Sequence, residues 1–261
     1  MSNPSFALWD SMTMLQRDLR HSQRYLTMTL SGVLTPIIML TLFNYFFGGA
    51  LGSSIGAGAH GAYIDYLAPA IIIMTVASGC ETTALNLCSD MSEGIITRFR
   101  TMAISRASVL TGQVLGSMIR TLASILLVTA VALLMGFRPT TSPLAWLEAL
   151  GVVALITFAI SWMGVVFGLI GKTPAGANSL SLIFTLLSFT SSAFVRPESM
   201  PGAVRWFAEY QPFTPVIDTL RGLLLGSPIG NSLILAVVWS VAMALVGYLW
   251  ARAVYNREPA R

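Results

Sequence analysis

The chain predicts an all-α integral membrane protein: six transmembrane helices, preceded by an amphipathic helix lying at the membrane surface. Three observations carry that prediction. First, its 261 residues are 55% hydrophobic and only 10% charged, with a mean hydropathy of +0.74, whereas a soluble domain carries about 25% charged residues. Second, the apolar residues gather in six blocks of roughly the 20 residues that cross a hydrocarbon core. Third, the basic residues sit at block ends, a topology pattern; the isoelectric point near 9.4 is therefore no sign of nucleic-acid binding.

Taken in order, residues 1–24 come first. Phe6, Trp9, Met12, Leu15 and Leu19 recur at helical spacing opposite Asp10, Arg17, Asp18 and Arg24, as in an interfacial amphipathic helix. The segment lacks the basic-then-apolar order of a cleavable signal peptide. The six blocks are Tyr25–Phe47, Tyr63–Leu87, Ala107–Phe137, Leu144–Ile170, Ala177–Val195 and Ser232–Ala253. They are too long for barrel strands and must satisfy their own backbone groups in lipid, so they are helices. One membrane domain results, with residues 1–24 as surface helix, 25–253 as bundle and 254–261 as tail.

Within the third block, Thr121–Phe137 is the apolar part. Ala107–Arg120 is richer in small and polar residues, as in a helix that starts in water and enters the membrane near Arg120. Gly48–Gly61 reads as a glycine-rich outer loop. Between the fifth and sixth blocks, Pro197, Pro201, Pro212, Pro215 and Pro228 break the chain into two amphipathic pieces, Ala203–Tyr210 and Pro215–Leu225. Both are too short to span, so they read as helices that dip into the outer leaflet and return.

Orientation follows from the cations. With the N-terminus inside, Arg17, Arg20, Arg24, Arg98, Arg100, Arg106, Lys172, Arg252, Arg257 and Arg261 are cytoplasmic. Arg138, Arg196, Arg205 and Arg221 are outside. The excess supports cytoplasmic termini.

Several chemistries are excluded. Val166-Phe-Gly-Leu-Ile-Gly-Lys-Thr173 approaches a phosphate-binding loop but has valine where GxxxxGK[ST] requires glycine; it reads as a tight cytoplasmic turn, leaving the chain no visible ATP site of its own. His21 and His60 fall on opposite sides of the membrane, and no metal or nucleophile constellation is present. Cys80 and Cys88 lie about 12 Å apart along one helix, too far for a disulfide.

Two helices carry polar stripes at 100° per residue: Thr75, Ser78, Thr82, Asn86 and Ser89 in the second span, and Asn178, Ser181, Thr185, Ser188 and Ser192 in the fifth. Such stripes either pack helices or line a wet path. Glu81 and Arg120 are the ionisable groups well inside spans. A charge there normally finds a partner, so the two are expected to pair between the second and third helices. Gly112-xxx-Gly116 and Gly164-xxx-Gly168 permit close helix approach.

The one long charged loop enclosed by spans is Met91–Arg106, with Asp90 and Glu93 near its start followed by Arg98, Arg100 and Arg106. It is a natural place for a soluble protein to push on the membrane domain.

These features together resemble the permease subunits of type-2 ABC exporters, closest to the daunorubicin-resistance type. The matching text is Glu93-Gly94, Arg98-Phe99-Arg100 and Ser105-Arg106, then Gly136-Phe137-Arg138-Pro139, Pro197-Glu-Ser-Met-Pro201, and Gln211-Pro212-Phe-Thr214 leading to Arg221-Gly222. It covers most of the chain. The resemblance implies an ATP-driven exporter in the plasma (inner) membrane, with ATP and magnesium bound by two copies of a separate ATPase subunit and no cofactor on this chain. It implies a second permease copy or paralogue, and a hydrophobic drug-like or lipid-like substrate. Ser92–Arg106 would be a cytoplasmic coupling helix, with Glu93, Arg98, Phe99, Arg100 and Arg106 facing the ATPase. Ala203–Leu225 would supply the re-entrant helices. The path would be lined by the first, second and fifth spans, through Phe43 and the two stripes. Where the family commonly has proline, this chain has Ala103, a departure that leaves the loop helix free to extend toward the third span. Export of a lipid-linked glycan or other lipid, a membrane-embedded enzyme and a stand-alone secondary transporter are the competing readings. The last lacks the repeated halves such transporters use.

Overall fold

The computed structural model describes residues 26–48, 60–92, 106–139, 141–195, 197 and 200–257. The surface helix at 1–24, the loop residues Glu93, Arg98, Phe99 and Arg100, most of the glycine-rich loop, and the last four residues of the tail lie outside the described residues, as does the side chain of Arg106.

Every described element is helical. In chain order they are α1 (Leu26–Leu42), continued by a π-helical turn (Phe43–Phe47), α2 (His60–Ser92), α3 (Arg106–Leu134), α4 (Pro143–Ile170), α5 (Pro174–Phe189), α6 (Gly202–Tyr210), α7 (Phe213–Leu225) and α8 (Ser232–Arg257). Among the described residues four helices are long and apolar enough to cross a membrane: Tyr63–Ser92, Leu110–Leu134, Pro143–Ile170 and Ser232–Tyr255. Among the described residues the first and fifth blocks contribute shorter apolar helices, Leu34–Phe46 and Pro174–Phe189. The 16 residues of α5 rise only about 24 Å at 1.5 Å each, because the chain leaves the helix at Thr190 instead of running on to Val195.

α2 and α4 form the core, each with 72% of its apolar window buried, against 28% for α3 and 17% for α8. Their closeness comes from Gly164 and Gly168. A Cβ at either would lie 2.8 Å from a backbone oxygen of α2, Cys80 O and Ala84 O respectively, so only glycine lets the two backbones meet. Gly247 of α8 similarly meets Trp162 of α4, and the Trp162 and Tyr248 rings pack edge to face at 5.1 Å.

α3 joins this core through hydroxyls. Thr83 on α2 hydrogen-bonds Ser117 on α3, and Ser161 on α4 donates to Ser117 at 3.4 Å. Gly79 of α2 faces Thr121 of α3. α3 is one continuous 29-residue helix, as the third block predicts.

The turn from α4 to α5 follows its sequence closely. Lys172 takes a left-handed φ of 53°. Thr173 then caps α5, its hydroxyl accepting from Gly176 N at 3.1 Å, and Pro174 occupies the first helical turn, where its missing N–H costs nothing.

One end of the bundle collects the start of α2, the end of α3, the start of α4, the end of α5, and α7. Arg138 N donates to Asp65 at 3.1 Å, Thr141 to Leu224 O at 3.3 Å and the Tyr66 phenol to Ser192 O at 2.8 Å. α5 therefore reaches from the Gly171–Thr173 turn at the opposite end to this one.

Candidate functional site

Two places concentrate polar chemistry: a buried hub where α5 ends, and one long face of α2.

The hub centres on Arg221, only 8% exposed. Its α7 position is set by a helix that begins after Gln211-Pro212 and ends at Gly226, whose φ of 73° makes the left-handed cap. The guanidinium Nε and Nη2 donate to Tyr66 O at 3.2 and 3.1 Å. Nη2 also donates to Ser192 O at 2.8 Å and Ala193 O at 3.3 Å. Nη1 reaches Asp218 at 3.2 Å and the Ser192 hydroxyl at 3.3 Å. The Tyr66 ring lies 3.6 Å from the guanidinium carbon, a cation–π contact. Ser192 donates from its hydroxyl to Asp218 at 2.9 Å and from its amide to Thr214 at 3.1 Å.

The physical need for this hub lies in the shortness of α5. Carbonyls beyond its last turn would be left unpaired at membrane depth, at a cost of several kcal/mol each. A planar guanidinium supplies several fixed donors and stays charged, so one side chain satisfies Tyr66 O, Ser192 O and Ala193 O together. From sequence, Arg221 stands only as an outside cation and part of the Arg-Gly pair; a partner 155 positions away leaves no local signal.

The two predicted stripes separate in the structure. On α5, Ser181 and Ser188 are 0% and 1% exposed, their hydroxyls bonded to Ala177 O and Phe184 O at 2.9 Å. Thr185 and Asn178 are half-buried, with the Asn178 side-chain oxygen enclosed. Ser192 is absorbed by the hub. The open side of α5 is aliphatic instead: Leu182, Ile183 and Leu186. This stripe packs against α2.

On α2, Thr75 is buried and bonds Ile71 O at 2.8 Å, but Ser78, Thr82, Asn86 and Ser89 are all partly exposed, as are Glu81 and Leu85 between them. At 100° per residue these positions share one arc. The opposite arc, with Val76, Cys80, Thr83, Ala84 and Leu87, is buried against the core helices. From Ser78 to Ser89 the polar stripe of α2 thus marks the partly exposed side of this central helix.

Glu81 and Arg120 do not pair. The described ion pairs are Arg205–Glu209 at 2.7 Å and Arg221–Asp218 at 3.2 Å. The reason is rotational: α2 meets α3 through Gly79 and Thr83, and Glu81 stands about 180° from the midpoint of those two residues. Arg120 engages another partner. Among the described residues, no cation and no hydrogen-bond donor reaches the Glu81 carboxylate.

At the hub end, Phe43 of the π-helical turn stacks on Phe194 with ring centres 4.4 Å apart. Phe194 stacks in turn on Phe189 at 5.5 Å. α6 is amphipathic, with Trp206, Phe207 and Tyr210 exposed and Ala208 buried, the dress of a helix at a membrane interface.

Residues 11–225 match the family model described as ABC-2 type transporter. The chain is 27% identical over 236 residues to a daunorubicin resistance ABC transporter permease protein of Streptomyces coeruleorubidus, covering 90% of this chain and 79% of that one. It is 24% identical over 242 residues to a probable doxorubicin resistance ABC transporter permease protein of Mycobacterium tuberculosis, covering 92% and 86%. An inner membrane transport permease of Escherichia coli is 23% identical over 229 residues, covering 85% and 88%. With the matched region taking in every helix from α1 to α7, the chain belongs to the ABC-2 type transporter family.

Proposed function

We propose that the chain is the membrane-spanning permease subunit of an ATP-driven exporter, moving a hydrophobic drug-like or lipid-like substrate out of the cytoplasm or inner leaflet. The observation that carries this reading is the partly exposed polar arc of α2 in a bundle of apolar helices. An apolar substrate taken from the membrane needs little dehydration, so a path of aliphatics with scattered hydroxyls suffices. The family and the drug-resistance permeases among its relatives support it.

In this reading the chain crosses the membrane six times with both termini cytoplasmic. The run from Leu26 to Phe47 is roughly 30 Å long at helical rise. α5 crosses by ending below the outer surface, its last carbonyls held by Arg221. α6 and α7 dip into the outer leaflet. The path runs along α2 between this chain and a second permease copy or paralogue. Energy enters at residues 92–106, where Glu93, Arg98, Phe99, Arg100 and Arg106 rest on an ATPase subunit that supplies ATP and magnesium chemistry. Two ATPases and two permeases form the working unit.

The test is functional. Arg98→Glu with Arg100→Glu should leave the chain inserted and at normal abundance while abolishing substrate-stimulated ATP hydrolysis in the co-expressed complex. Normal stimulation in that double variant removes the loop from the coupling role, and failure of any ATPase to co-purify with the native chain removes the exporter reading.

A further inference from the structure

We infer that Glu81 makes this path selective for amphiphiles carrying a positive charge. The inference rests on reading the partly exposed arc of α2 as the path. It goes further by naming the substrate class.

A carboxylate within a membrane-spanning helix is costly unless something answers its charge, and such residues face partners or cavities. Glu81 has neither Arg120 nor any other described cation or donor beside it. It is not turned to lipid as an accident of the outer wall, because α2 is one of the two more buried of the four long apolar helices. Its position is on the partly exposed arc of that helix, among Ser78, Thr82, Leu85 and Asn86. The hydroxyls beside it already donate to their own helix, Ser78 to Thr75 O at 2.9 Å and Thr82 to Ser78 O at 3.2 Å, so they do not satisfy the carboxylate. The arrangement offers apolar surface, hydroxyl oxygens able to accept, and one unanswered negative charge. An ammonium or other cation on an apolar body completes all three; a neutral molecule completes two; an anion is repelled.

The probes are tetraphenylphosphonium and tetraphenylborate, which share size and apolar surface and differ in charge. Each is titrated onto the full chain in phosphatidylcholine nanodiscs, with binding to empty nanodiscs subtracted. The wild type should hold the phosphonium at least about tenfold more tightly than the borate, the scale of one Coulombic contact between partly buried charges. Glu81→Gln, which keeps the shape, should erase that preference, and Glu81→Asp should retain it. Equal binding of both probes by the wild type overturns the charge assignment while leaving the path reading standing, and needs no variant to fold. A preference that survives in Glu81→Gln does the same. Binding of neither probe overturns the assignment and the path reading together.

Discussion

The stripes on α2 and α5 read alike in sequence and occupy opposite situations in the fold. Both repeat small polar residues every three or four positions. On α5 the serines are sealed against α2 and bond the carbonyl one turn back; on α2 the equivalent residues beyond the buried Thr75 lie on a partly exposed arc. A polar stripe therefore reports that a face is not lipid-facing, and tertiary packing decides whether that face is a seam or a path. The aliphatic side of α5 makes the same point in reverse, since its leucines and isoleucine are exposed.

The comparison can be broken most forcefully at the end of the α5 stripe. Arg221→Ala leaves Asp218 and the Ser192, Ala193 and Tyr66 carbonyls without their shared donor, a loss of about 3 kcal/mol or more. The thermal midpoint of the detergent-purified chain should fall by many degrees, with Arg221→Lys recovering little because an ammonium lacks the planar fork. If Ser192 lined the path instead, Arg221→Ala would alter substrate response and leave the midpoint alone.

A somewhat smaller effect is expected where α2 meets α4. Gly168→Leu must push against Ala84 O and Leu87, costing about 1–3 kcal/mol, readable in the same melting experiment. Gly151, with nothing near its Cβ position, should accept alanine with no loss.

The stripes themselves are separated by Thr82→Leu and Ser188→Leu. The first, on the open arc, should change the range of compounds that stimulate ATP hydrolysis while shifting stability by less than about 0.5 kcal/mol. The second should overpack the α2–α5 seam at about 1–3 kcal/mol with the compound range unchanged. The smallest effect concerns Glu81 and Arg120: Glu81→Gln and Arg120→Gln should combine additively in stability, within about 0.5 kcal/mol, and a larger coupling would restore the ion pair.

Much of this fold was legible wherever local rules govern. Gly171-Lys-Thr-Pro174 reads as a tight turn, and the structure has it, with Thr173 capping a helix that starts at Pro174, ahead of the expected Ala177. Pro201 and Gln211-Pro212 bound the two short helices, and the Gly164–Gly168 spacing found a real close approach. Other features have no local signature. The Arg221 hub joins positions 66, 192 and 221, and no period links them. The Glu81–Arg120 expectation counted charges but could not know that α2 turns Gly79 and Thr83 toward α3. Thr83, beside the stripe and outside it, points into the three-helix crossing, because a one-residue step on a helix is a 100° turn.

The central claim is that the open arc of α2, and not the stripe of α5, contacts the substrate. Single cysteines at Ser78, Thr82, Ser181 and Ser188, in a background with Cys80 and Cys88 replaced by alanine, can be scored for maleimide labelling in nanodiscs with and without tetraphenylphosphonium. The account predicts labelling at 78 and 82 that the phosphonium suppresses, and no labelling at 181 and 188. Labelling at 181 and 188 with protection there, and none at 78 and 82, would contradict it.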